Sequence, residues 1–115
     1  MAESLPKVIK VIDEFRVVIN RGRSDGVEDG DGFIVYEVGE ELLDPDTAEG
    51  LGRLEIIKGR GRAKHVQERI TTVESIESER VAVRHNPLTG IFGTDYETRQ
   101  LPYNEPKVGD IARPL

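Results

Sequence analysis

The sequence predicts an all-β fold: a small, partly open β-barrel of about six or seven mostly antiparallel strands. Three observations carry that reading. Short runs rich in Val, Ile, Thr and Phe recur along the chain, with Gly, Pro, Asp or Asn at their breaks. No segment sustains the 3.6-residue period of an amphipathic helix. A chain so rich in strands must also hide its sheet edges, and curling into a barrel does so.

Taken in order, Val8–Ile12 is the first strand, entering after Pro6, and Asp13 and Glu14 reverse the chain into Phe15–Ile19. There Phe15, Val17 and Ile19 recur with the period of two of a half-buried strand. A turn-rich stretch follows. Asn20, Gly22, Asp25, Gly26, Gly30 and Asp31 are its structural turn residues, the glycines admitting positive φ and the aspartates bonding nearby backbone. Phe33–Val38 is nearly continuously apolar, as a strand covered on both faces would be. After a break at Gly39–Glu41, Asp44-Pro45-Asp46-Thr47 is a strong turn signal. Leu51–Lys58 sets Leu54 and Ile56 on one face and Arg53 and Glu55 on the other. Gly59-Arg60-Gly61 is a bend or bulge that lets the strand continue into Ala63–Val66.

Ile70–Ile76 and Arg80–Arg84 are two further strands. Asn86–Glu105, with Pro87, Pro102, Gly90 and Gly93, has no sustained period and reads as an irregular insertion in a single domain spanning 1–115. A last short strand lies within Val108–Arg113, where Val-Gly-Asp echoes the Val27-x-x-Gly30-Asp31 pattern upstream.

Composition narrows the function classes. A formal net charge of -6 disfavours a general affinity for phosphate backbones, which rests on clustered Lys and Arg. The chain has no cysteine, so a disulfide framework, a thiolate nucleophile and a Cys-ligated zinc site are excluded. MAESLPKVIKVIDEF lacks the apolar core of a signal peptide, and no run approaches the roughly 20 apolar residues of a membrane span. A cytoplasmic protein without membrane insertion is the default expectation, and a periplasmic one if the chain is trimmed from a precursor.

Candidate chemistry is sparse. Asp25, Glu28, Asp29 and Asp31 gather hard oxygen ligands, but their spacing is not that of an EF-hand loop, so turn capping is the favoured role. Lys58, Arg60, Arg62 and Lys64, next to His65, form the one basic run and the alternative reading, a nucleic-acid contact. No aromatic residue lies within the run for base stacking, and solvent-facing charges guarding an edge are the simpler account. Gly59-x-Gly61 lacks the third glycine and the helix of a dinucleotide fingerprint. His65 and His85 fall in separate β runs, and no serine sits in a Gly-x-Ser-x-Gly elbow. Hence no catalytic residue, cofactor or metal is expected, and the chain does not read as an enzyme.

The spaced elements Asn20-x-Gly22-x-x-Asp25-Gly26-Val27-x-x-Gly30-Asp31-x-Phe33-x-Val35-Tyr36, with Asp44-Pro45-Asp46-Thr47 and Leu51-Gly52-x-Leu54-Glu55, resemble the C-terminal domain of the flagellar assembly protein T. The resemblance covers roughly Val8–Val83 and implies a small β-barrel domain, appended in its namesake to a periplasmic protein of the flagellar basal body. It implies no catalytic residues. Arg23 and Ala48 depart from the pattern, Ala48 standing where a glycine is expected. The function expected is therefore a non-catalytic module that binds a protein partner or a second copy. Its working surface is expected in Asn86–Glu105, where Phe92, Tyr96 and Tyr103 are half of the chain's six aromatic residues. Those rings either contact a partner or plug the open end of their own barrel.

Overall fold

The computed structural model describes residues 4–83 and 95–115. Its strands are β1 (Val8–Asp13), β2 (Arg16–Ile19), β3 (Gly32–Leu43), β4 (Gly50–Val66), β5 (Thr71–Ser75), β6 (Ser78–Val83), β7 (Asp95–Gln100) and β8 (Ile111–Pro114), with one 3-10 turn at Arg23–Asp25. Six of them form a sheet in the order β1-β2-β5-β4-β3-β8, antiparallel throughout, and β6 and β7 form a separate pair.

The large sheet curls until its two edges touch. Lys7 and Ile111 make an isolated bridge, Val8 donates to the Asp110 carbonyl (2.8 Å) and Ala112 to that of Pro6 (2.9 Å). No ladder joins β1 to β8 along their length, so the barrel is not closed. Val8, Val17, Ile19, Phe33, Val35, Val73 and Ala112 fill the concave side and are buried.

Short polar side chains fix the reversals. The Asp13 carboxylate accepts from the Phe15 N–H at 2.9 Å and pairs with Arg16 at 2.7 Å; the hydrogen bond from Arg16 holds that carboxyl below its usual range. Asp25 accepts from the Gly22 N–H (3.0 Å) across the 3-10 turn, and Gly26 closes it at φ 88°. The Val-Gly-Asp echo is structural. Gly30 (φ 91°) and Gly109 (φ 99°) each precede an aspartate that accepts from the N–H three residues back, Asp31 from Glu28 at 2.9 Å and Asp110 from Lys107 at 2.8 Å. These like-built turns deliver β3 and β8, which then pair.

Tyr103 enters the core from the segment before β8. It is 2% exposed, and its hydroxyl donates to the Val73 carbonyl at 3.2 Å. Burial, and secondarily the charge of Glu74, push its phenol above the ordinary range. Gly59 and Gly61 make the room: a Cβ on Gly59 would lie 3.1 Å from the ring, and one on Gly61 would overlap the phenol oxygen. The bend expected at Gly59–Gly61 is a β-bulge. Val35 faces Gly59 and Tyr36 faces Ile57, so Lys58 is the extra residue and β4 continues as one strand.

Two expectations are corrected. Asn86–Glu105 is not irregular throughout, because Asp95–Gln100 is β7, in register with β6 from Ser78↔Gln100 to Val83↔Asp95. Its sequence, DYETRQ, is polar at both parities, so there was no apolar alternation to read. Nor is Phe33–Val38 covered on both faces to its end: Tyr36 is buried, while Val38 is 41% exposed. The strand does not stop there but runs on to Leu43.

Candidate functional site

β3 and β4 are longer than the sheet that holds them. β8 pairs with β3 only from Phe33 to Tyr36, and β5 with β4 only from Gly61 to Val66. Beyond those limits the two strands, among the described residues, pair only with each other and project as a hairpin arm across residues 37–57. The radius of gyration is 18.9 Å, against about 13 Å for a compact domain of this length.

The tip is built by Asp44. Its side chain accepts from the N–H groups of Asp46 (2.8 Å) and Thr47 (3.2 Å), its carbonyl accepts from Ala48 and its N–H donates to the Glu49 carbonyl, each at 2.8 Å. Ala48, at the expected glycine position, takes φ 60°, the left-handed region that glycine favours.

Register sets the arm's two faces, since side chains directly opposite each other share one. Val35 and Phe33 pair with Gly59 and Gly61 on the concave face, and the same parity continues outward through Glu37↔Ile56 and, past a bulge, Leu42↔Gly52. Leu42, Leu54 and Ile56 thus extend the core-facing side beyond the core. They form one stripe because Gly39 has no side chain to part Leu54 from Ile56, which lie 3.5 Å and 3.3 Å from where its Cβ would be. All three are substantially exposed, as are Val38, Leu43, Leu51 and Ile57. On the convex face Arg113 stacks over the Tyr36 ring at 5.2 Å and pairs with Glu55 at 3.5 Å.

The base of the arm is held by charge. Lys58 is 6% exposed, and its Nζ donates to the Glu105 carbonyl at 2.9 Å and lies 4.0 Å from Glu37. Lys107 approaches the same Glu37 at 3.8 Å. The arm's root is therefore tied to the segment that carries Tyr103.

The basic run does not present four free cations. Lys58 is buried for the reason just given, which removes it from any phosphate contact. Arg60 is bound to Glu77 at 2.7 Å, a contact that lowers the Glu77 carboxyl from its usual range, and Lys64 lies 3.9 Å from Glu74. Arg62 and His65 are exposed. Asp25 and Asp31 are engaged by backbone N–H groups, while Glu28 and Asp29 face solvent; among the described residues no group of three His, Asp or Glu converges on a metal position.

Of the two expectations for the aromatic rings, Tyr103 follows the plug: its ring lies in the core of its own barrel. Phe92 and His85 lie outside the described residues, as does the side chain of Tyr96. An open depression of about 910 Å³ lies at one end of the barrel between Pro6, Arg21, Asp25, Phe33 and Leu115, but Arg21 is spent on Ser4 and Asn20. No helix among the described residues is long and apolar enough to cross a membrane.

Sequence reasoning missed the arm. It placed Leu54 and Ile56 on one face of a strand and Arg53 and Glu55 on the other, and that alternation is real; among the described residues no strand packs over the apolar side. Two signals were available: β-rich runs longer than their prospective partners, and a concentration of acidic residues from Glu37 to Glu55. Compared with models of known protein families and with curated proteins, the chain matches none.

Proposed function

We propose that this chain is a non-catalytic protein-interaction or assembly module, and that the β3–β4 arm is its contact element. The observation that carries the reading is the exposed stripe of Leu42, Leu54 and Ile56, which continues the core-facing side of the sheet and which no strand among the described residues covers. An uncovered apolar patch on an ordered element is the common mark of a binding surface. A bonded tip and a charged clamp at the root favour a presented arm over a slack loop. The resemblance of Val8–Val83 to the C-terminal domain of the flagellar assembly protein T agrees in kind, since that family's namesake works within a larger assembly.

The test is site-specific photo-cross-linking in cells that express the chain. A photoreactive side chain at Leu42 or Leu54 should give one discrete protein adduct, and the same group at Arg62 on the barrel should give none. Equal labelling from both sites, or none from the arm, would show that the arm is not the contact element. Titration with single- and double-stranded oligonucleotides completes the comparison. Binding lost in Arg60→Glu/Arg62→Glu would move the assignment to nucleic acid.

A further inference from the structure

Charge restricts what can cover the arm, an inference that rests on the reading of the arm as the contact element. Residues 37–57 hold seven carboxylates (Glu37, Glu40, Glu41, Asp44, Asp46, Glu49 and Glu55) and one guanidinium, Arg53. The whole chain has 22 acidic and 16 basic side chains, which leaves fifteen of each outside the arm. The arm therefore carries the entire net charge of -6, and the rest of the molecule balances.

That charge is not evenly neutralised. Glu37 and Glu55, at the root, have cations beside them in Lys58, Lys107 and Arg113. Toward the tip, Glu40, Glu41, Asp44, Asp46 and Glu49 form no ion pair among the described residues, and Arg53 donates its Nε to the Gly39 carbonyl. The apolar stripe thus lies on an arm whose outer half carries unpaired carboxylates, Glu41 on the opposite face across from Arg53 and the others toward the tip. Two arms laid face to face would bring both sets within a Debye length of about 8–10 Å, so a second copy's arm is opposed by like charge. Strand addition along the arm's open edges is opposed as well. Register shifts interrupt β3 between Val38 and Glu41 and β4 opposite Leu42–Leu43, where Gly52 takes φ 114°.

We propose that the arm docks by its Leu42–Leu54–Ile56 face onto a different protein, one that presents an apolar strip flanked by Lys and Arg. Apolar burial supplies the affinity, and the carboxylates select the partner and speed encounter.

The test uses the full chain and two synthetic peptides of equal length, one alternating Lys with Val and Leu, the other with Glu in place of every Lys. Fluorescence anisotropy should show the cationic peptide binding roughly tenfold or more tightly than the anionic one, with affinity falling as salt rises to about 0.5 M. Leu54→Ser/Ile56→Ser should abolish binding although the charge is unchanged. Glu40→Gln/Glu41→Gln/Glu49→Gln should remove most of the preference between the peptides. Equal binding of both peptides, a preference for the anionic one, or dimerisation through the arm in sedimentation velocity overturns the partner's chemistry and leaves the arm as a contact element. Arm-dependent binding to phosphatidylcholine vesicles in place of the cationic peptide also overturns it. Cationic-peptide binding that survives Leu54→Ser/Ile56→Ser overturns both, because it would then be general attraction to an acidic protein.

Discussion

The two ends of β3 and β4 differ more than their sequences do. Near the barrel, Phe33, Val35, Gly59, Gly61 and Ala63 look onto Val73 and Tyr103 and exclude water. A few residues further on, the same parity of the same hairpin carries Leu42, Leu54 and Ile56 into solvent. Pairing of the two strands continues from one end to the other, interrupted by bulges. What changes is the neighbours: β8 and β5 stop, and no other strand among the described residues replaces them. A strand's own pattern tells which side chains share a face, while burial depends on what the remaining chain brings to that face.

If that contrast is sound, substitutions of similar kind should have very different effects at the two ends. The largest loss is expected from Tyr103→Ala, which empties the centre of the barrel and should cost about 3–5 kcal/mol in urea unfolding. Gly61→Ala should approach it, because the new methyl meets Val73 Cγ1 at 2.6 Å and the Glu74 carbonyl at 3.0 Å as well as the phenol. If Tyr103→Ala unfolds no more easily than wild type, the tyrosine does not plug the barrel.

A backbone effect comes next. Gly30 holds φ 91° at the turn that starts β3, with open space where a Cβ would stand. Gly30→Val therefore isolates conformational strain from crowding, and a loss of about 1–3 kcal/mol is expected. An unchanged thermal midpoint would mean that the turn relaxes without consequence for the sheet.

Much of the barrel was legible in the sequence because its signals are local. Asp25, Gly26, Gly30 and Asp31 announce turns through chemistry that acts within a few residues, and the structure uses each in that way. The Gly59–Gly61 bulge was legible too, although its reason was not. Only three-dimensional packing shows that the glycines clear a path for Tyr103, more than forty residues later. The arm stayed hidden for the opposite reason. Leu54 and Ile56 look like core residues by every local criterion, and the absence of a neighbour leaves no mark in a strand's periodicity. β7 was missed because DYETRQ has no apolar face to reveal it.

A smaller effect, and one with a pH signature, is expected from Tyr103→Phe. Loss of the hydroxyl's bond to Val73 should cost about 1 kcal/mol at neutral pH. The phenol's pKa is raised in the fold, so the contribution of keeping it protonated is intact below the unfolded value, near pH 10, and is lost as pH rises beyond it. Above that point the unfolded chain releases the proton and the folded chain holds it. Wild-type stability should then fall by up to about 1.4 kcal/mol per pH unit more steeply than that of Tyr103→Phe. Parallel stability curves between pH 9 and 11 (an interval of about two units around the ordinary phenol value) would place the ring in a wetter site.

The smallest effect is expected on the arm. Leu54 and Ile56 are 44% and 39% exposed and both lie against the backbone position of Gly39. Replacing either with Ser gives up a partly covered side chain but creates no cavity in the barrel, so each change should cost about 1 kcal/mol or less. The denaturant slope should stay constant, since it follows the surface newly exposed on unfolding and the arm's apolar face is already wet. The comparison is informative in both directions. A loss near that of Tyr103→Ala would mean that the stripe is covered in the free protein, by another part of the chain or by a second copy, and concentration-dependent unfolding would separate those cases. A negligible loss accompanied by failure to bind the cationic peptide would assign these apolar side chains to recognition, with the barrel alone holding the fold.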